Sequence, residues 1–163
     1  MNPISSLAVV LVLLFCQESF AETLESFLVN QALGRSGLST YHDEVKALLL
    51  SKDMVIPMDK KKIGGMLNAQ RGMSDSIQTT TDVVEFKILG KTETEDAVSV
   101  VSKIKLSTVS RVPGKEASKP KVFEVVSHDI LLKRGDGFVS IFSVTRDDGS
   151  MAQLASSFQR PKK

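Results

Sequence analysis

The side chain in this sequence best suited to moving a proton near neutral pH is His128. It stands in the run Val122–Leu132, where Val126, His128 and Ile130 alternate with Ser127, Asp129 and Leu131. Successive strand residues point to opposite faces, so His128 shares a surface with Val126 and Ile130, and Asp129 looks away from it. On the wall of an apolar cavity such an imidazole is a general base or acid. Its commoner role is a half-buried ring hydrogen-bonded to backbone or water. The other histidine opens His42-Asp43-Glu44, whose acids suit the first turn of a helix, where the dipole favours negative charge. A metal site there needs partners at ligand spacing that the sequence does not supply, so no metal and no cofactor are expected. No glycine-rich phosphate loop, nucleophile elbow or carboxylate dyad is present. Arg134-Gly135-Asp136 spells an integrin-recognition tripeptide, but the same residues serve a turn.

The elements that must position these residues lie between Thr81 and Thr145. Val83–Leu89 alternates, with Val84, Phe86 and Ile88 on one side and Glu85 and Lys87 on the other. Ala97–Val109 repeats the pattern: Val98, Val100, Ser102, Ile104 and Leu106 share a face opposite Lys103 and Lys105. Val122–Leu132 is apolar on both sides, as expected of a central strand covered above and below. Its inward set is expected to be Val122, Glu124, Val126, His128, Ile130 and Leu132. Asp136-Gly137 then turns the chain into Phe138–Val144. Four strands joined by short polar turns predict an antiparallel meander.

Ahead of the strands the spacing is helical. Leu24, Phe27, Leu28, Gln31 and Ala32 predict a helix over Glu22–Leu33, stopped by Gly34 and Gly37. Ser39 and Thr40 offer N-caps for a second helix striped by Tyr41, Val45, Leu48 and Leu49. Asp53–Pro57 reads as short and extended. Asp59 caps a third helix through about Arg71 that carries Gly64-Gly65 at a cost of about 1 kcal/mol per glycine.

The chain has 163 residues, 42% hydrophobic and 25% charged, with net charge +2. That fits one globular domain behind a removable leader. Leu7–Cys16 is an unbroken apolar run, and Ser19-Phe20-Ala21 satisfies the small-x-small rule for signal peptidase. A ten-residue helix rises only about 15 Å, half the hydrocarbon core, so no stable membrane anchor is expected after processing. Residues 1–21 are therefore expected to be a signal peptide, 22–155 a single α+β domain and 156–163 a basic flexible tail. Cys16 is the only cysteine and precedes the expected cut, leaving a mature chain without disulfide or thiolate chemistry. A periplasmic or extracellular location is expected. Lys60-Lys61-Lys62 and Arg160-Pro161-Lys162-Lys163 lack interleaved aromatics, which argues against nucleic-acid binding.

The order of elements, with Glu95-Asp96-Ala97-Val98-Ser99-Val100 and the ending Leu132-Lys133-Arg134-Gly135-Asp136-Gly137-Phe138-Val139-Ser140-Ile141, resembles the nuclear transport factor 2-like α+β cone superfamily. That group includes ketosteroid isomerase, scytalone dehydratase and polyketide cyclases. The resemblance spans about Tyr41 to Val144. Relatives often carry Trp in the last strand, where this chain has Phe138 and no Trp anywhere. It implies N-terminal helices packed on a curved antiparallel meander of four or slightly more strands, closing a cone. The pocket would be lined by Tyr41, Phe86, Val126, His128 and Phe142. The sole tyrosine, Tyr41, would be a donor there, as tyrosines are in family enzymes. An isomerase would also want an inward carboxylate of raised pKa, and the expected inward set offers only Glu124. The reading that follows is an exported, non-catalytic binding or scaffold domain with its cone filled by Phe86, Phe123, Phe138 and Phe142. Its partner would be a protein, a small apolar ligand or a second copy on the open sheet face. The alternative is a cone-type lyase or isomerase with His128 as general base.

Overall fold

The computed structural model describes residues 22–51, 54–73 and 78–147. The expected signal peptide and basic tail lie outside these residues.

Helix α1, Leu24–Ala32, starts where Thr23 takes a hydrogen bond from the Ser26 amide at 3.1 Å. It stops at Gly34, which adopts φ 66°, a left-handed conformation that glycine reaches without strain. The helix buries Phe27 and Leu28. A short 3-10 turn over Leu38–Thr40 follows, closed by the Thr40 hydroxyl donating to the Gly37 carbonyl at 2.8 Å.

The second helix expected from the sequence is a strand, β1, Tyr41–Ser51. Tyr41, Val45, Leu48 and Leu49 fit a helical stripe, but neighbours on both edges override that local preference. β2, Met54–Met58, pairs antiparallel on one edge, and the last strand pairs parallel on the other. Ser39 and Thr40, read as helix caps, belong to the 3-10 turn. The third expected helix is present as α2, Lys60–Met73, with the Lys62 amide donating to the Asp59 carboxylate at 2.8 Å. Gly64 sits where Leu38 presses close: a Cβ there would lie 3.3 Å from Leu38 Cδ2.

The remaining strands are β3, Gln78–Glu93; β4, Ala97–Arg111; β5, Lys121–Arg134; and β6, Gly137–Asp147. They form the predicted antiparallel meander, but within a larger mixed sheet of six strands, ordered β2-β1-β6-β5-β4-β3. β5 is interior to the sheet, but it is not covered above and below as its two apolar sides suggested: on the side away from the helices Val122 is 54% exposed and His128 is exposed. Register shifts at Val84 and Leu89 leave those residues 56% and 57% exposed and reset the alternation of β3.

Both helices pack on one face of the sheet, the inner face. Phe27 and Leu28 meet Val98, Val100 and Leu131, with the Phe27 and Phe138 rings 5.7 Å apart. Ile63 and Leu67 of α2 meet Tyr41 and Val45. A third cluster gathers Ile104, Leu106 and Val125 with Phe86 and Phe123. Fully burying a side chain such as Phe27 contributes about 1.5–3 kcal/mol.

Candidate functional site

Among these clusters the inner face carries a polar seam. Direct cross-strand partners share a face, and the register places Ser102 opposite Ser127, Val100 opposite Asp129, Asp129 opposite Ser143 and Ser127 opposite Thr145. β4, β5 and β6 thus bring a carboxyl and four hydroxyls together amid apolar packing. The Ser127 hydroxyl donates to Asp129 Oδ2 at 2.7 Å and lies 3.1 Å from the Ser102 hydroxyl. Ser143 stands directly across from Asp129 on β6 and lies 3.4 Å from the Thr145 hydroxyl. Asp129 is 2% exposed and Ser102 fully buried, whereas Ser127 and Thr145 are half-buried, so the seam reaches solvent at their end.

Burial pushes the Asp129 carboxyl above the ordinary carboxylate value. Hydrogen bonds from Ser143 and Ser127 and the charge of His128 oppose that shift. Tyr41 faces the same interior from β1, beside Ser140 of β6, whose buried hydroxyl has no hydrogen-bond partner. Burial pushes the Tyr41 phenol up; a hydrogen bond with Gln31 of α1 opposes this, and the charge of Asp129 adds to it. A buried carboxyl, a phenol and a chain of hydroxyls can hold the polar end of a small molecule whose body lies on apolar walls.

The residues expected to line one pocket divide between two faces. Tyr41 and Phe86 pack inside. Val126, His128 and Phe142 lie outside, where His128 is exposed and pairs across the sheet with Val101 and Val144. Its Nε2 is 3.0 Å from the Ser99 hydroxyl, and the Phe142 ring meets it edge-on at 6.4 Å. Glu124 is also outside, paired with Lys103 at 2.7 Å. Of the phenylalanines expected to fill the cone, Phe86, Phe123 and Phe138 pack on the inner clusters and Phe142 does not. The alternation along β5 is as read, but its phase is inverted. A strand apolar on both sides declares a period and not an inside. β4, with Lys103 and Lys105 marking its wet side, did declare one; the register carrying that mark to β5 passes through the 112–120 loop.

His42, Asp43 and Glu44 belong to β1. Asp43 pairs with Lys60 of α2 at 2.7 Å, and the Glu44 amide donates to His42 Nδ1 at 3.2 Å. Among the described residues no cluster of three His, Cys, Asp or Glu side chains is placed to hold a metal ion. Arg134-Gly135-Asp136 forms the exposed β5–β6 turn, with Gly135 at φ 56°.

No family model and no curated protein matches the chain. Solved structures are similar to it. A ketosteroid isomerase-like protein from Erwinia carotovora atroseptica aligns over 80% of this chain and 96% of its own, at 11% identity and TM-score 0.48. An NTF2-like protein with a cystatin-like fold from Novosphingobium aromaticivorans aligns over 95% and 97%, at 13% identity and TM-score 0.48. The beta subunit of benzoate 1,2-dioxygenase from Burkholderia mallei aligns over 78% and 85%, at 12% identity and TM-score 0.49. The second of these is an NTF2-like protein, the superfamily that the sequence resembles.

Proposed function

We propose that this chain is an exported, non-catalytic binding domain that takes a small, largely apolar molecule against the inner face of its sheet. The polar end of the ligand would meet the seam around Asp129 and Tyr41. The observation that carries this reading is the Asp129 carboxyl, 2% exposed among apolar clusters yet continuous through hydroxyls with half-buried Ser127 and Thr145. Buried polar groups are costly, and a core built for stability alone has no use for a carboxyl there. Export is supported by the apolar run Leu7–Cys16, the small residues Ser19 and Ala21, and the lack of cysteine beyond them. A binding role is favoured over the lyase or isomerase built on His128 because that ring and Tyr41 lie on opposite faces. Methyl-resolved NMR during titration with small aromatic and alicyclic compounds tests the reading. Shifts at Val100 and Leu131 with Val101 and Val126 unmoved support it; binding confined to Val101 and Val126 refutes it.

A second reading rests on the outer face, where Val101, Val126, Ile130, Phe142 and Val144 form a half-buried apolar surface. A second copy of the chain would cover it. Sedimentation equilibrium should then show a dimer that Phe142→Glu dissociates, whereas a wild-type monomer at high concentration removes this reading.

A further inference from the structure

We infer that the ligand held against Asp129 carries a positively charged nitrogen, making it a small organic ammonium ion with an apolar body. The inference rests on the binding reading above and adds the chemistry that Asp129 selects.

Among the described residues, no Lys or Arg makes a salt bridge with Asp129. The basic residues that are paired lie elsewhere. Lys91 and Lys133 both hold Glu93, Lys60 holds Asp43, Lys87 holds Glu85 and Lys103 holds Glu124. His128, next in sequence, is on the other side of the sheet. Buried charges are ordinarily paired, because neutral donors spread a charge without cancelling it.

The hydroxyls are nevertheless arranged for a carboxylate. Ser127 donates to Asp129, which leaves Ser102 to donate to Ser127; on the other arm Thr145 can donate to Ser143 and Ser143 to Asp129. All of these protons can converge on one anionic centre, which then lacks only a cation. A ligand ammonium supplies it through a charge-assisted hydrogen bond in a low-dielectric setting. Tyr41, on the same face, adds an aromatic surface of the kind that attracts cations. The clusters on either side, Val100 with Leu131 and Ile104 with Val125, are apolar, so a ligand body entering from the half-buried Ser127–Thr145 end would have to part them. The same geometry discriminates. A neutral isostere leaves the carboxylate unpaired, and an anion sets a like charge against it.

The test titrates the protein with a series of alkyl- and arylalkylammonium ions, the matched alcohols and the matched carboxylates. The methyls of Val100, Val125 and Leu131 report the inner face, and those of Val101 and Val126 the outer. The expected result is ammonium binding at the inner methyls, tighter than the alcohol by roughly thirtyfold or more. Asp129→Asn should abolish that preference. If that variant does not fold, the wild-type Asp129 side-chain carboxyl carbon decides the matter: the ammonium should shift its resonance and the alcohol should not. Alcohols binding the inner face as tightly as ammonium ions overturn the inference and leave the small-molecule reading standing. No compound of any series at the inner methyls overturns both.

Discussion

Asp129 and His128 are adjacent in sequence and separated by the thickness of the sheet: the carboxyl is 2% exposed within the inner face, the imidazole exposed on the outer one. One peptide bond thus joins a group pressed by desolvation to a group in water.

Asp129 makes the protein more stable in mild acid. Its carboxyl is raised above 3.8 in the folded state by burial, so its protonated form is favoured by folding. That contribution is fully present below the unfolded value and is lost as pH rises through the folded value. Asp129→Asn should raise the urea midpoint at pH 8 and leave it almost unchanged at pH 3. Equal effects at both pH values would show that the carboxyl titrates as an ordinary one.

Glu93 acts in the opposite sense. Hydrogen bonds from Lys133 and Lys91 pull its carboxyl from 4.5 down to about 2, with N–O distances of 2.6 and 2.5 Å. Its contribution is present above 4.5 and disappears as pH falls through about 2. Side-chain NMR titration of Glu93 should find this low value, and Glu93→Gln should flatten the acid limb of the stability profile.

Phe27→Ala should destabilise the fold by about 3–5 kcal/mol, because it empties a fully buried site against Phe138. His128→Gln, at an exposed position, should change stability by less than about 0.5 kcal/mol. Chemical denaturation of both variants checks the inner–outer assignment directly.

The paired glycines of α2 should respond differently. A Cβ at Gly65 meets nothing within 4 Å, so Gly65→Ala should stabilise by about 0.4–1 kcal/mol. At Gly64 the new methyl would crowd Leu38 at 3.3 Å, and the gain should be smaller. Thermal melts of the two variants, measured side by side, distinguish them.

Much of this architecture could be read from residue order. β4 announced its buried face through Lys103 and Lys105, α1 and α2 through Phe27, Leu28, Ile63 and Leu67, and the β5–β6 turn through Lys133–Gly137, although the chain turns at Gly135-Asp136 and Gly137 already opens β6. β1 was hidden because Tyr41, Val45, Leu48 and Leu49 satisfy a helix as well as a strand, and its partner β6 lies far along the chain. The seam was hidden for a related reason. Ser127, Asp129, Ser143 and Thr145 are ordinary polar positions until register sets them against Ser102, and register across the 112–120 loop is a tertiary property.

The parallel contact between β1 and β6 ties two distant parts of the chain together. Among the described strands, β6 alone touches both the β1–β2 pair and the β3–β5 ribbon, so a polypeptide ending before Gly137 holds two partial sheets with no common edge. Such a molecule lacks half of the seam as well, because Ser143 and Thr145 arrive with the same strand. Completion of the sheet and completion of the interior around Asp129 are therefore a single late event, gated by the last of these strands to be synthesised.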